Sequence, residues 1–284
     1  MNEKVILITG CSSGIGYDTA LVLHKRGHKV IASCRKKEDL QKLAAIGLDA
    51  VLLDVNDSSS IHTAFAEVLT KSNGRIDVLI NNAGYGQAGA LEDISRDVLR
   101  KQFETNVFGL LELTTHVIPI MRQQGHGRII NISSILGVIS LPFRGAYNAS
   151  KYAVEGISDT LRLELKSSNI DVITIEPGPI ESRFRDNCVE GSFASIDMTK
   201  SYFSKQYAAM LSHYRQNSSD TIFTKKPDAV IKKLIHAIEA RKPRIKYPVT
   251  VPAHLLIFLK RILSANMLNK LLNLASKKEL SAEK

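Results

Sequence analysis

The sequence predicts an α/β fold: a doubly wound parallel sheet in a single domain, with a C-terminal amphipathic helical extension. Three observations carry this. Short apolar runs rich in β-branched residues alternate with amphipathic stretches, and a glycine-rich turn follows the first run directly. No Gly/Ser- or Pro-rich linker interrupts the 284 residues, of which 44% are hydrophobic, enough for one large core. Residues 5–9 form the first apolar run, and 15–26 form a helix halted by Gly27. Residues 29–33 lead into a charged helix that ends near Gly47. Residues 50–53 precede a helix from about Ser58, where Asp57 or Ser58 suits the N-cap because its side-chain oxygen can accept from an unsatisfied N–H. Then come a strand at 78–80, a long helix over 96–121, a strand at 128–132, a helix over 146–166 and a strand at 172–175. Strands that read as near-continuous apolar runs are buried on both faces, the mark of a parallel sheet between helical layers. A ligand of such a sheet lies beyond the C-terminal ends of its strands.

Past Pro177 the regularity fails. From 179 to about 224 the chain is polar and flecked with aromatics, with no strong period, and an insert of that length at the strand-end face is expected to be a substrate lid. A helix over 227–240 and a short strand at 245–247 resume the pattern. The net charge of +10 is uneven, because residues 225–284 hold 14 Lys/Arg and 4 Asp/Glu while the first 224 residues are neutral. A nucleic-acid binder would interleave basic and aromatic residues across a face, so no nucleic-acid partner is expected. Cys11, Cys34 and Cys188 are odd in number and far apart, which argues against a disulfide framework; Cys11 fits as a small residue in a tight turn. The chain opens in an apolar strand without the features of a signal peptide, so a cytoplasmic setting is expected. The eight histidines show no ligand spacing, and no metal is expected.

Thr9-Gly10-Cys11-Ser12-Ser13-Gly14-Ile15-Gly16 joins the first strand to the first helix. Gly10 allows a sharp turn, Gly14 lets backbone approach a pyrophosphate, and Gly16 permits close helix–sheet packing. The helix N-terminus offers N–H groups to the phosphates. Gly10, Ser12, Ser13, Gly14, Ile15 and Gly16 are therefore candidate cofactor-binding residues. The second strand ends in Ser33-Cys34-Arg35-Lys36, with no acid to accept from an NAD ribose 2′-hydroxyl. Arg35 can instead hold a 2′-phosphate in a charge-assisted fork, which points to NADP, with NADPH preferred over NADH.

The spacing Gly-x-x-x-Gly-x-Gly, the run Asn81-Asn82-Ala83-Gly84 after the fourth strand, and Tyr147-x-x-x-Lys151 occur in that order. Together they resemble the short-chain dehydrogenase/reductase family, over about residues 4–180. Cys11-Ser12-Ser13, Leu141-Pro142-Phe143 and Glu176-Pro177-Gly178-Pro179-Ile180 look like its branch of 17β-hydroxysteroid and retinol dehydrogenases, near the bacterial NADP-dependent aldehyde reductases. The resemblance implies a Rossmann-type fold and a phosphate-binding role for Ser13. It implies that Asp54 and Val55 flank the adenine, that Asn81, Ala83 and Gly84 line the ribose side, and that Pro177 and Gly178 join the cofactor site. Ile180 and Ser182 would meet the nicotinamide carboxamide, with serine standing where many members have threonine. It also implies a homodimer or homotetramer formed through the helices at 96–121 and 146–166.

Reducing a carbonyl needs a proton on oxygen as well as a hydride on carbon. A free tyrosine, with a pKa near ~10, is a poor base at neutral pH. Lys151 lies four residues after Tyr147, one turn on and on the same helix face, and its ammonium favours tyrosinate. Lys151 can also bond the nicotinamide ribose, so Tyr147 and Lys151 belong to the cofactor site as well as to the catalytic set. Ser134, thirteen residues before Tyr147, matches the family's serine that binds the substrate oxygen; Ser133 is adjacent, and register alone does not separate them. Asn106 matches the family's helix asparagine, credited with a water-linked proton relay through the lysine. The expected reaction is reduction of an apolar aldehyde or ketone, retinoid-, steroid- or lipid-like, to an alcohol, reversible at the CH–OH group. The competing class is a non-catalytic NADP(H) sensor or membrane-surface regulator, against which an intact Tyr147 and Lys151 argue.

Leu141, Pro142, Phe143 and the segment 184–223 are expected to wall the substrate pocket, with Phe193, Met198, Tyr202, Phe203, Tyr207, Met210 and Tyr214 as its apolar residues. Residues 255–274 read as one basic amphipathic helix, too interrupted by Lys260, Arg261 and Lys270 to span a bilayer. Such a helix suits peripheral contact with an anionic membrane, a cover over the pocket or a second subunit. The chain therefore divides into a dinucleotide-binding and catalytic domain over 1–250, including the lid at 179–224, and a basic extension over 251–284.

Overall fold

The computed structural model describes residues 2–181, 192–216 and 223–280. Its strands are β1 Val5–Ile8, β2 Lys29–Cys34, β3 Asp49–Leu52, β4 Val78–Asn81, β5 Gly127–Ile132, β6 Ile170–Glu176 and β7 Lys246–Pro248. They form one parallel sheet in the order β3-β2-β1-β4-β5-β6-β7. The helices before the insert are α1 Gly14–Lys25, α2 Lys37–Ala45, α3 Ser58–Ser72, α4 Arg96–Phe103, α5 Gly109–Gln124 and α6 Gly145–Glu164. They are followed by α7 Ser204–Gln216, α8 Asp228–Glu239, α9 Val251–Ile262 and α10 Ala265–Leu280. Successive side chains of a strand point to opposite faces. Ile6, Ile8, Val78, Ile80, Ile130 and Ile173 therefore pack beneath α1 and α8, while Leu7, Leu79, Ile129 and Val172 pack beneath α3 and α5. Strand order reverses between β1 and β4, and that switch point opens a crevice at the C-terminal ends of the strands.

The N-cap of α3 resolves to Asp57, whose Oδ1 accepts from Ser59 N at 2.9 Å. Three elements depart from the sequence reading. The long helix over 96–121 is broken by a π-turn at Glu104–Phe108, which divides α4 from α5. The single helix over 255–274 is two, α9 and α10. Leu263 is extended at φ −85° and ψ 146°, and Ser264 recaps the chain, its carbonyl accepting from Leu268 N at 3.0 Å. The apolar period runs on across this break, so spacing alone does not reveal it. The insert over 179–224 also contains a regular helix, α7.

Helix α5 presses so closely on the β3–α3 turn that a Cβ on Gly109 would lie 1.9 Å from the Val55 carbonyl oxygen. That neighbour is backbone and cannot swing away. Gly109→Ala is expected to destabilise the protein by about 3 kcal/mol or more in urea unfolding. Gly156→Ala, with nothing within 4 Å of the added carbon, should instead stabilise α6 by roughly 0.5–1 kcal/mol.

Candidate active site

The turn after β1 is held open by backbone that favours glycine, Gly10 at φ +71° and Gly14 at φ +61°. A Cβ on Gly16 would fall 2.4 Å from Asn82 Nδ2 and 2.5 Å from the Gly10 oxygen, so only glycine lets α1 start this close to the next loop. Asn82 Nδ2 donates to the carbonyls of Thr9 and Gly10 at 2.9 and 3.0 Å, and Thr9 Oγ1 accepts from the N–H groups of Asn82 and Ala83, each at 2.9 Å. These four bonds clamp the two loops together. The Ser13 side chain does not cap α1, whose first turn carries no acidic residue. The helix N-terminus thus keeps donors and an uncancelled positive end, which fits a pyrophosphate. Ser12 is exposed and Ile15 packs on the core edge. Cys11 is wholly buried, and burial pushes its thiol up to about 12, which suits the small-residue reading over any reactive one.

Arg35 and Lys36 are exposed beyond the end of β2, with no carboxylate at the strand terminus. Asp54 Oδ1 accepts from Asn56 N at 3.0 Å, and Val55 is buried against α5. Asn81 turns its amide inward. Its Nδ2 donates to Thr114 Oγ1 at 2.9 Å and Asn131 Oδ1 at 2.8 Å, and Asn131 Nδ2 donates to Ser158 Oγ at 2.8 Å. The Asn81 Oδ1 is buried and has no hydrogen-bond partner among the described residues. Asn131, Thr114 and Ser158 escaped the sequence reading, because nothing in a lone buried amide or hydroxyl announces a ladder between strands and helices.

The structure brings Tyr147, Lys151, Asn106 and Gly84 together. Lys151 is buried, and its Nζ donates to the Ile132 carbonyl at 2.7 Å at the end of β5. Its Nζ lies 5.7 Å from the Tyr147 ring centroid. Burial lowers the Lys151 pKa to about 8, against the opposing pull of Glu155. A Cβ on Gly84 would stand 3.0 Å from Asn106 Oδ1 and 3.9 Å from Lys151 Nζ, so Gly84 leaves room for both. Asn106 sits in the π-turn, its Oδ1 accepting from Tyr85 N at 3.1 Å and its Nδ2 donating to Ser150 Oγ at 3.0 Å. Single π-turns within helices often occur at functional sites. Ser134 Oγ accepts from Leu136 N at 3.1 Å and stands 3.5 Å from the Pro177 carbonyl, on the strand-end loop. The Ser133 hydroxyl lies behind, 2.9 Å from where a Cβ on Gly137 would sit.

A family model described as short chain dehydrogenase matches residues 4–192. The chain belongs to the short-chain dehydrogenase/reductase family. It is 40% identical over 270 residues to YbbO, an uncharacterized oxidoreductase of Escherichia coli (strain K12), covering 95% of this chain and 94% of that one. It is 43% identical over 188 residues to a 3-ketodihydrosphingosine reductase of Bacteroides thetaiotaomicron, covering 66% of this chain and 68% of the relative. Among solved structures, a short-chain dehydrogenase from Streptomyces avermitilis superposes with a TM-score of 0.77 at 29% identity, over 97% of both chains. The closed form of serine dehydrogenase complexed with NADP+ superposes at 0.74 with 26% identity, over 87% of this chain and 94% of that one.

Phe143, Phe193, Ile196, Tyr207 and Met210 form one buried cluster, with Met198, Phe203 and Leu280 against it. The described aromatics of the insert largely close on one another, whereas Tyr202 and Phe223 are exposed. Phe143 sits at φ +59° just before α6, an unfavourable backbone state held by edge-on contacts with Phe203 and Tyr207. The Tyr207 hydroxyl donates to Asp93 Oδ2 at 2.7 Å and accepts from Ala90 N at 2.8 Å. Tyr147 belongs to a second apolar cluster, with Ile135, Leu136, Ile139, Leu141, Leu256, Ile257, Leu268 and Leu272. Gly178 packs under Thr250, and Ile180 pairs with Lys225 in an isolated bridge. Ser182 and residue 184 lie outside the described residues. His62, Glu112 and His116 bring ligand-type atoms within 4.8 Å of one another across α3 and α5, a grouping that only the helix packing creates.

One carboxylate, Glu155, escaped the sequence reading, and Glu176 entered it only as part of a family motif. Glu155, one turn beyond Lys151, accepts through Oε2 from Lys246 Nζ at 2.8 Å and from Thr174 Oγ1 at 3.4 Å. Glu176, buried at the end of β6, is pushed up to about 7 by burial first and then by Glu155. A carboxyl raised in this way binds a proton in the folded state that the unfolded chain has released. Stability should therefore fall as pH rises from about 4.5 to about 7 on account of this group. Glu176→Gln should remove that fall. Urea unfolding at the two ends of the window should show the variant gaining roughly 2–3 kcal/mol on the wild type toward high pH.

Proposed function

We propose that this protein is an NADP(H)-dependent reductase that converts an apolar aldehyde or ketone to the alcohol, and that it works reversibly. The observation that carries this reading is the buried Lys151 ammonium, anchored on the Ile132 carbonyl and facing the Tyr147 ring at 5.7 Å. When bound, the reduced nicotinamide supplies the hydride. The protein's part is to hold the substrate oxygen and deliver the proton. Tyr147 and Ser134 form a two-donor site for that oxygen, where hydrogen bonds strengthen as negative charge develops. Lys151, charged below about 8, stabilises tyrosinate and so makes Tyr147 the better acid. Asn106, bound to Ser150 and Tyr85 beside Lys151, holds the π-turn that continues the proton path. The Gly10–Gly16 turn with Ser13, the Asn82–Gly84 loop, Asp54, Val55 and the Pro177–Ser182 loop would hold the cofactor.

The absence of a carboxylate at the end of β2 and the exposure of Arg35 and Lys36 favour a 2′-phosphate. The serine dehydrogenase neighbour was solved with NADP+. The apolar surroundings of Tyr147, and a relative named as a reductase of 3-ketodihydrosphingosine, favour a keto or aldehyde group on a hydrophobic body. Exposed Phe108, Tyr152 and Leu163, on the π-turn and α6, favour a homo-oligomer built on these helices.

An NADPH-oxidation screen over aliphatic, aromatic, retinoid and steroid carbonyls tests the reading directly, and Tyr147→Phe should cut turnover by roughly 10³-fold or more. Cofactor affinity should hardly change, and retained turnover would remove the role given to Tyr147. Reduction by the wild type should weaken as pH rises past about 8, where Lys151 loses its charge. Arg35→Asp should weaken NADPH binding by about 10–100-fold and leave NADH binding nearly unchanged. An equal loss for both would refute the 2′-phosphate assignment.

A further inference from the structure

Helix α9 is apolar on two opposite sides. Ala253, Leu256 and Ile257 face inward, onto the cluster that contains Tyr147. Val251, Leu255, Phe258 and Ile262 recur at four-, three- and four-residue steps and so form one stripe down the helix. Every one of them is more than half exposed. Met267 and Leu274 on α10, two turns apart, are likewise exposed. A helix that buries one face and leaves a second apolar stripe in water is incomplete by itself.

Charge decides what covers this stripe. Arg261, Lys270 and Lys277 are exposed on the same two helices, within the 60-residue tail that holds the whole net charge of +10. A second copy docked about a two-fold axis would set this basic patch against itself. A surface that offers both acyl chains and negative headgroups satisfies the stripe and its rim at once. No helix among the described residues is long and apolar enough to cross a membrane, so contact is along the surface.

We propose that α9 and α10 form a docking face for an anionic lipid bilayer, and that the site at Tyr147 is loaded from that bilayer with a membrane-dissolved carbonyl compound. The loading half rests on the reductase reading; the docking half does not. The outer stripe and the residues that pack on the Tyr147 cluster are two sides of one helix. Lys260 pins that helix to the segment after Ser134, its Nζ donating to the Val138 carbonyl and lying 3.3 Å from the Tyr152 hydroxyl. The apolar cluster beside Tyr147 and the outward stripe thus share one element, α9.

The test is co-sedimentation of the full chain with vesicles of phosphatidylcholine alone and with about one third phosphatidylserine. The expected result is binding to the anionic vesicles, at least tenfold weaker on neutral ones and weakened by high salt. Phe258→Asp/Ile262→Asp should lower vesicle affinity at least tenfold, with the wild-type melting temperature and wild-type turnover of a short water-soluble carbonyl. Turnover of a vesicle-dissolved long-chain carbonyl should fall in the same variant. If that variant does not fold, Lys270→Glu/Lys277→Glu serves, with the same loss expected on anionic vesicles. Wild-type protein that ignores both vesicle types, or variants that bind as the wild type does, overturn the proposal. So does a drop in oligomer mass by light scattering in the aspartate variant of a non-binding wild type, which would assign the face to a second copy. Vesicle binding without turnover of any carbonyl would leave docking standing and defeat the reductase reading alone.

Discussion

An ammonium buried in a protein interior is costly unless something close replaces the water it has lost. Lys151 meets that condition with the Ile132 carbonyl at 2.7 Å and the charge of Glu155 one turn away. The carbonyl lies where β5 stops, so the lysine stays in place only while the end of β5 and the first turns of α6 hold their spacing. The sheet provides this. β5 is paired on both sides, to β4 and β6, over most of its length. The Asn81–Asn131–Ser158 ladder then ties that sheet to α6 through buried amides. Tyr147 inherits its position from the same helix. The rigidity of the middle of the sheet is therefore what lets a phenol and a cation face each other at a fixed distance.

The same logic joins the two loops that would receive the cofactor. Neither the Gly10–Gly16 turn nor the Asn82–Gly84 turn has secondary structure of its own at its tip. Each satisfies the other's backbone, through Thr9 Oγ1 and Asn82 Nδ2. Side chains of the length of Thr and Asn can do this only because Gly16 has no Cβ to keep the loops apart. The nucleotide crevice and the proton-transfer pair are thus two consequences of one parallel sheet with its strands ending at one level.

Much of this was legible in the sequence, and the reason is local. Strand runs, the glycine spacing and the Tyr147/Lys151 interval are properties of a few consecutive residues, and the fold and family followed from them. What stayed hidden is relational. The π-turn at Glu104–Phe108 contains no Pro or Gly to mark a break, and weak helix formers such as Thr105, Asn106 and Val107 also occur inside regular helices. The break at Leu263 lies inside an unbroken apolar period, with Ser264 the only hint that a new cap begins there. Nothing in the sequence shows the setting of Glu155 and Glu176 until β6, β7 and α6 are packed and Lys246 is brought beside them. The aromatics of the insert are visible in the sequence, but only the packing reveals that Phe193, Tyr207 and Met210 turn toward Phe143.

The polar and apolar sides of the site come from different parts of the chain, and this division has a physical consequence. Lys151, Glu155 and Glu176 sit on the sheet side, where strand ends and Lys246 offset their charge. The far wall against Tyr147 is built by Leu141 and by apolar residues of α9 and α10, with the Lys260 ammonium at its edge on the Val138 carbonyl. Charge interactions strengthen as water is excluded, so the apolar wall would raise the effect of Lys151 on Tyr147. In the proposed reaction the tail helices would thus act as a low-dielectric cover. Under the proposed function, a substrate that fills the wall with its hydrophobic body would complete that cover and present its oxygen at the boundary where Tyr147 and Ser134 stand. Hydrophobic binding and the acidity of the tyrosine would then be coupled through the same surface, so a bulky apolar substrate should gain in rate as well as in affinity over a short one.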